Sequence, residues 1–389
     1  MKARQAREEV TGENGRPAVV SDLNLADLLD RYTAPGVLWR QEEGGKIRCV
    51  ACGHRCLLAP GRRGICKVRI HRDGQLRVPF GYVAGVASDP IEKKPFFHVL
   101  PGTDALTFGM LGCDFHCSYC QNWVTSQALR DPAARAPIQV VSPEQLVAAA
   151  VRAGARSIIS SYNEPLITAE WAVAVFQRAW EHGFLCGFVS NGNATPEALD
   201  YLQPWIRCYK VDLKTFDDRR YRSLGGTLAH VLETIRQVHA RGVWLEVVTL
   251  VVPGWNDSDA ELRDIARFLV SVSPDIPWHV TAFHPDYQMT EPRATTASDL
   301  IRAAEIGAGE GLRYVYAGNL PGRVGPWEDT RCPSCGYTVV ARIGYVVTRY
   351  DLTTHGACRQ CGARLPGLWH QQEIHLVPTG WRQPRQVVL

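Results

Sequence analysis

The stretch from residue 112 to residue 122, "GCDFHCSYCQN", decides how the rest of the chain is read. It sets Cys113, Cys117 and Cys120 within eight positions, and no further cysteine follows for more than sixty residues. A structural zinc site takes four protein ligands and an ordinary ferredoxin cluster takes four cysteines, so this group is one ligand short of either. Three thiolates on one short loop can each take one iron of a cubane [4Fe-4S] cluster and leave the fourth iron free to bind a substrate. The plainer alternative is a structural cluster completed by a distant residue such as His116 or Cys186.

Working outward, the loop follows the apolar run "ALTFGMLG", and six further runs of the same kind come after it: "RSIISS", "FLCGFVSN", "RCYKVDL", "VWLEVVTLVV", "WHVTAF" and "LRYVYAG". Between them lie helix-like stretches at 143–153, 167–182, 228–240, 257–271 and 297–309, where apolar residues recur at helical spacing. Strand runs apolar on both faces and separated by helices predict an α/β fold with a parallel sheet and crossover helices. The repeat fits a partial (β/α)6 barrel, in which chemistry sits at the C-terminal ends of the strands. A doubly wound open sheet is the competing architecture.

Polar groups stand at those strand ends. The second strand ends in "SSYNEP" (Ser160 to Pro165), the third in "SNGN" (Ser190 to Asn193), the fourth in "VDLK" (Asp212, Lys214) and the sixth in "FHPDY" (His284, Asp286). With the cysteine loop after the first, five strand ends carry groups that converge on one pocket in such a fold. Lys214 suits the carboxylate of a zwitterionic ligand as a point charge. The competing readings are a solvated ion pair for Asp212 and Lys214 and a hydrogen-bonded structural histidine for His284.

Composition bounds the class. The chain has 389 residues, of which 46% are hydrophobic and 21% charged, enough for one large core with smaller satellites. No apolar run approaches the eighteen or so residues that span a bilayer, and the opening "MKARQAREEVTGENGRPA" lacks the apolar segment of a signal peptide, so a soluble cytoplasmic protein is expected. Cys186 and Cys208 lie in apolar runs and read as small buried hydrophobes. The net charge is +4, and the surplus falls in the tail, where seven arginines from residue 331 onward face only Asp351 and Glu373. That tail reads as a solvated face rather than an acidic-partner site.

The cysteine spacing Cys113-x3-Cys117-x2-Cys120, heading a run of βα units, resembles the radical S-adenosylmethionine (SAM) superfamily, and in particular the glycyl-radical-enzyme activating enzymes. With "DPIEKKPFFHVLPG", "GCDFHCSYCQNW", "SYNEP", "VSNGNATPEAL", "VPGWNDS" and "CPSCG...CRQCGARLPGLWH", residues 46 to about 370 resemble the radical SAM member of the AMMECR-Memo-radical SAM system. The resemblance implies a [4Fe-4S] cluster on Cys113, Cys117 and Cys120 whose unique iron chelates the amino and carboxylate groups of SAM. It implies Tyr119 against the adenine, and Tyr162, Asn163 and Glu164 in place of the superfamily's Gly-Gly-Glu strand end, though without its two glycines. Ser190 and Asn191, with Asp212 and Lys214, are expected at the ribose and carboxylate, the backbone near Val252 at the adenine, and His284 closing the pocket. The implied reaction is reductive cleavage of SAM to a 5′-deoxyadenosyl radical that abstracts hydrogen, from a protein or peptide as in activating enzymes. Its implied partners are a reductant such as flavodoxin or ferredoxin and proteins of the AMMECR and Memo type.

Two outer cysteine sets complete the reading. Cys332-x2-Cys335 and Cys358-x2-Cys361, with strand-like "YTVVARIGYVVTRY" between them, have the spacing of a zinc ribbon. Cys49, Cys52, Cys56 and Cys66 form a set in which zinc and a second cluster are both open. Four regions follow: an N-terminal extension (1–45) with one short helix closed at Pro35-Gly36, a Cys-rich N-terminal module and connector (46–100), the barrel (101–325) and the zinc-ribbon-like C-terminal module (326–389). The rival functions are a zinc-ribbon nucleic-acid-binding protein with a structural iron-sulfur cluster, and an electron-transfer iron-sulfur protein. The first lacks an aromatic platform for stacked bases, which makes nucleic acid an unfavoured partner. The second leaves five polar strand ends unexplained.

Overall fold

The computed structural model describes residues 25–131, 134, 136–372, 384–387 and 389; the polar opening of the expected extension lies outside them. Its centre is a run of seven parallel strands: β1 Asp104–Gly109, β2 Ser157–Ser160, β3 Leu185–Ser190, β4 Cys208–Asp212, β5 Trp244–Val251, β6 Trp278–Ala282 and β7 Val315–Gly318. They pair strictly in sequence order. The crossovers carry α1 Pro143–Ala153, α2 Ala169–Glu181, α3 Pro196–Leu202, α4 Asp218–Leu224, α5 Leu228–Ala240, α6 Asp259–Val272 and α7 Ala297–Gly309. The result is six βα units closed by a seventh strand. The five expected helices match to within two residues at each end. The missed pair, α3 and α4, have seven residues each, too few to show an apolar period over two turns.

Strand order decides the architecture. Right-handed crossovers between strands that never reverse their order leave every connecting helix on one face of the sheet. A doubly wound sheet needs a reversal, so that competitor is excluded. The helix face buries Phe108, Phe188, Val211, Val247 and Trp278 against Phe176, Ile235 and Ala304. On the other face the connector takes the place of helices: Ile91, Phe96 and Val99 cover Ala105, Ile159 and Cys208. Beside them Phe97 and Tyr316 join the small core of the C-terminal module. Both faces are therefore covered, and the polar side chains of the helix-free face, such as Lys210, Glu246 and His279, are buried beneath that cover.

Ahead of β1, Gly85–Pro90 pairs antiparallel with it, and Arg385–Gln386 adds at that edge. The described part of the 1–45 segment is woven into the fold. A helix spans Leu25–Leu29, after which Thr33–Pro35 pairs with Gln75–Pro79 and Trp39–Gln41 with Ile47–Cys49. The helix therefore stops short of the expected Pro35-Gly36, because Thr33–Pro35 is drawn into a sheet and Leu29 and Leu38 are buried. The fully buried Arg69 fixes this module to α2 through two bonds of 2.7 Å to Glu170, whose Oε1 also accepts from the Val37 and Leu38 amides.

The C-terminal module is a three-stranded antiparallel sheet of Thr330–Arg331, Thr338–Ile343 and Val346–Tyr350. Its arginines do not form one free basic face. Arg342 is buried, donates to the Phe97 carbonyl at 2.7 Å and to Thr330 at 2.8 Å, and lies 4.3 Å over the Phe97 ring. Among the described residues no helix is long and apolar enough to cross a membrane.

Candidate active site

The parallel strands bring their C-terminal ends to one rim, and the cysteine loop leaves β1 there. Inside the loop Asp114 is fully buried, and its carboxylate accepts from Asn191 Nδ2 at 2.7 Å and Asn193 Nδ2 at 2.9 Å. This clamp ties the cysteine loop to the end of β3. A second tie comes from the loop after β6, where the Gln288 amide donates to the Ser118 carbonyl at 2.9 Å. The Phe115 amide donates to Cys113 Sγ at 3.4 Å, and Cys120 Sγ lies 3.1 Å from Ser126 Oγ. Neither distant candidate completes the set. Cys186 and Cys208 are buried near the N-terminal ends of β3 and β4, the far end of the sheet from the loop. The ring of His116 lies over Gly225, where an added Cβ would fall 2.7 Å from it.

At the other strand ends, Glu164 is buried and taken up by three protein donors: Ser190 Oγ at 2.8 Å and the amides of Asn191 at 2.7 Å and Leu166 at 3.1 Å. Its place is beneath the β3 loop, holding Ser190 and Asn191 in position. Asn163 accepts from the Met110 amide at 3.0 Å, so it too braces backbone. Tyr162 has a left-handed φ of 68°, a conformation that costs a tyrosine energy and is kept only where the surroundings enforce it. Its hydroxyl donates to Asp89 at 2.7 Å, and Lys94 lies 4.3 Å over its ring, so it faces the connector "DPIEKK".

Asp212 and Lys214 form an ion pair of 3.2 Å, and Lys210 bonds the second Asp212 oxygen. The two lysines are largely withdrawn from solvent, at 14% side-chain exposure for Lys214 and 6% for Lys210, while Asp212 keeps 31%. Tyr119 is buried and meets Trp255 edge to face at 5.4 Å. The Val252 backbone is used within its own turn: its amide donates to Asn256 Oδ1 at 2.7 Å and its carbonyl accepts from the Trp255 amide at 3.0 Å. His284 is exposed, with Nδ1 3.3 Å from the Pro285 carbonyl, and its loop reaches the cysteines through Gln288 instead.

Burial pushes all three thiols up, Cys117 to about 12, while Lys214 pulls Cys117 and Cys120 the other way. Burial would also raise Asp212, but Lys210 and Lys214 outweigh it and hold the carboxyl at about 2. Glu164 is raised to about 8 by burial and by the neighbouring Asp114 charge. Three soft sulfurs gathered beside a lysine, each costly to ionise alone, are a donor set suited to iron. They are not collapsed onto one ion, since they do not all lie within 4.8 Å of one another. A cluster that gives each thiolate its own iron fits that spread.

The C-terminal set behaves differently. Cys332, Cys335, Cys358 and Cys361 have sulfurs all within 4.8 Å of one another, with Cys332 to Cys361 at 3.6 Å and Cys335 to Cys358 at 3.9 Å. Four thiolates around one zinc at roughly 2.3 Å stand about 3.8 Å apart, so these cysteines fit a single tetrahedral ion. Each pair sits in the same turn: Gly336 and Gly362, both left-handed, donate to the carbonyls of Cys332 and Cys358 at 2.8 Å.

Several residues here were not singled out from the sequence. Lys210 had a readable signal, since it lies two positions before Asp212 and so on the same strand face. Asn193 stood within "SNGN", and Asp114 within the cysteine motif, but their pairing joins segments about eighty residues apart. Gln288 carried no signal.

Residues 108–269 match the Radical SAM superfamily. The chain is 34% identical over 333 residues to the uncharacterized protein MJ0808 of Methanocaldococcus jannaschii, covering 85% of this chain and 98% of that protein. It is 29% identical over 133 residues to the isethionate sulfite-lyase activating enzyme of Oleidesulfovibrio alaskensis, covering 31% of this chain and 41% of that enzyme. It is 25% identical over 174 residues to the pyruvate formate-lyase 1-activating enzyme of Escherichia coli, covering 43% of this chain and 69% of that enzyme. Residues 108–269 are therefore a radical SAM domain, and activating enzymes are among the chain's homologues. Over most of its length this protein falls in one family with MJ0808. Membership implies a [4Fe-4S] cluster and SAM as cofactors.

Proposed function

We propose that this protein is a radical SAM enzyme that abstracts hydrogen from a protein or peptide substrate, using a cluster held by Cys113, Cys117 and Cys120 at the rim of a partial (β/α)6 barrel. The observation that carries this reading is the approach of two of the three thiols, Cys117 and Cys120 on the loop after β1, to Lys214 and Asp212 at the end of β4 across the rim. When bound, the cluster and SAM together supply a 5′-deoxyadenosyl radical. The chain's own residues bind, orient and exclude water. Lys214 offers its charge to a carboxylate, Asp212 keeps that lysine charged and aimed, and Tyr119 with Trp255 presents an apolar wall suited to adenine. Glu164 fixes Ser190 and Asn191 toward the ribose. Val252 contributes apolar surface, because its polar backbone atoms are engaged. His284, exposed on its loop, would come to the pocket only with movement of that loop.

The reading extends to the whole chain. Regions 46–100, 101–325 and 326–389 act as a Cys-rich module, the barrel and a zinc-ribbon-like module, with zinc on Cys332, Cys335, Cys358 and Cys361. A flavodoxin or ferredoxin supplies the electron, the setting is cytoplasmic, and the resemblance to the AMMECR-Memo-radical SAM system makes proteins of those types its partners. Burial of Arg342 weakens the nucleic-acid alternative, since that charge is spent inside the fold.

Anaerobically reconstituted protein given dithionite should convert SAM to 5′-deoxyadenosine. Intact SAM after prolonged incubation with a fully loaded cluster would overturn the reading. Cys117→Ala should lose the SAM-binding cluster and keep its zinc, and deuterium from a labelled protein substrate should appear in the 5′-deoxyadenosine.

A further inference from the structure

The second cysteine set, Cys49, Cys52, Cys56 and Cys66, is absorbed by neither the SAM site nor the C-terminal metal site. Cys49, Cys52 and Cys66 are buried and Cys56 is partly so. A Cβ placed on Gly64 would stand 3.6 Å from the sulfurs of both Cys56 and Cys66, and the Ile65 amide donates to Cys56 Sγ at 3.5 Å. The Cys49 amide donates to the Cys56 carbonyl at 3.0 Å, which puts Cys49 beside the same group.

Spacing tells the two metal chemistries apart. No three of these four sulfurs lie within 4.8 Å of one another, a condition the four C-terminal sulfurs all meet. One tetrahedral zinc would draw all four to about 3.8 Å from each other. In a cubane each thiolate takes a different corner iron, and the body of the cluster holds the sulfurs apart. The same chain thus contains one four-cysteine set at zinc spacing and one set too open for it.

Location gives the second set a role. Gly112, next to Cys113, has a φ of 92°, and a Cβ there would fall 2.9 Å from the Cys66 carbonyl oxygen. His54, between Cys52 and Cys56, has Nε2 3.1 Å from the Asp114 carbonyl, and the Gly53 amide donates to the Asn193 carbonyl at 2.8 Å. The two cysteine sets therefore meet at two points, the Cys66 carbonyl against Gly112 and the His54 ring against the Asp114 carbonyl.

We propose that Cys49, Cys52, Cys56 and Cys66 hold a second iron-sulfur cluster that relays electrons to the cluster on Cys113, Cys117 and Cys120. The relay rests on the radical SAM reading for its acceptor. One electron leaves a reduced flavodoxin- or ferredoxin-class donor, rests at the second cluster and ends on the first. The donor is oxidised by one electron, the SAM-binding cluster is reduced by one, the relay returns to its starting state, and no covalent bond changes.

The test uses the full chain reconstituted anaerobically with iron and sulfide. Wild type should hold about eight irons, and Cys56→Ser/Cys66→Ser and Cys117→Ala about four each, with one zinc throughout. A wild type with about four irons and a second zinc overturns the proposal. In fully reduced wild type, electron paramagnetic resonance should show two interacting spins; a single spin, or two without interaction, overturns it even where the variants fail to fold. In stopped-flow with reduced flavodoxin, Cys56→Ser/Cys66→Ser should lose the fast phase of reduction of its remaining cluster, and retention of that phase overturns the relay. Two interacting clusters without SAM cleavage would sink the catalytic reading alone, whereas SAM cleavage by a protein with one cluster would sink this one alone.

Discussion

His98, in the connector, shows how one side chain ties stability to pH. Its Nδ1 is 2.8 Å from the Pro366 carbonyl, which can only accept, so that nitrogen carries the hydrogen. Its Nε2 then accepts from the Tyr316 hydroxyl at 2.6 Å, and the ring is held neutral. Burial lowers its pKa to about 4, against the pull of Glu246 the other way. His279, bonded to Glu246 at 2.6 Å, is lowered by burial too. The unfolded chain thus binds protons at these rings, near pH 6.5, before the folded one does. Stability should fall as pH drops from about 6.5 toward 4, by on the order of 3 kcal/mol for His98. Urea midpoints through that range check this, and His98→Gln should flatten the slope; an equal slope in the variant would argue against the assignment. At this scale the sequence marked Cys113, Asp212 and Lys214, because spacing and strand position are local. It did not mark Glu170 or Asp114, whose partners lie across the fold.

Among the elements, the junction of β1 with its loop carries the tightest constraint. Gly112 combines a left-handed φ with the close approach of the Cys66 carbonyl, so Gly112→Ala suffers backbone strain and a clash together. We expect a loss of about 1–3 kcal/mol, with reduced iron incorporation because the cysteine loop must shift. Gly74→Ala is the matched control: its φ is 75° and nothing lies within 4 Å of the added Cβ. It should lose stability to strain alone and keep its iron. Equal iron loss in both, measured colorimetrically, would separate the effect from the contact with Cys66. The elements themselves were largely legible: β1 to β7 stand out as apolar runs, and the five longer helices show a helical period over several residues. The N-terminal strand Thr33–Pro35 was not, since three residues carry no period and their pairing partner begins at Gln75.

For the whole molecule, the C-terminal module acts as a lid on the helix-free face of the sheet. Arg342 and Thr330 from this module meet Phe97, His98 and Tyr316, so its unfolding would expose a buried polar network. Cys332→Ser/Cys358→Ser, or a chelator that strips the proposed zinc, should lower stability by several kcal/mol, because metal binding in so small a module is folding free energy. Calorimetry should show this module melting early, while iron bound at Cys113, Cys117 and Cys120 is retained. Simultaneous loss of that iron would show that the module holds the rim as well as the covered face.

By itself the sequence determined the alternation of strands and helices, the side of the sheet on which polar groups gather, and the grouping of cysteines into three sets, since each is written in local period and spacing. Only the tertiary structure decided that the strands never reverse order, that one four-cysteine set closes to tetrahedral spacing while the other stays open, and that the open set abuts the loop of Cys113. Those outcomes depend on how segments far apart in the chain approach one another, and that approach is set by packing of the whole core rather than by any local pattern.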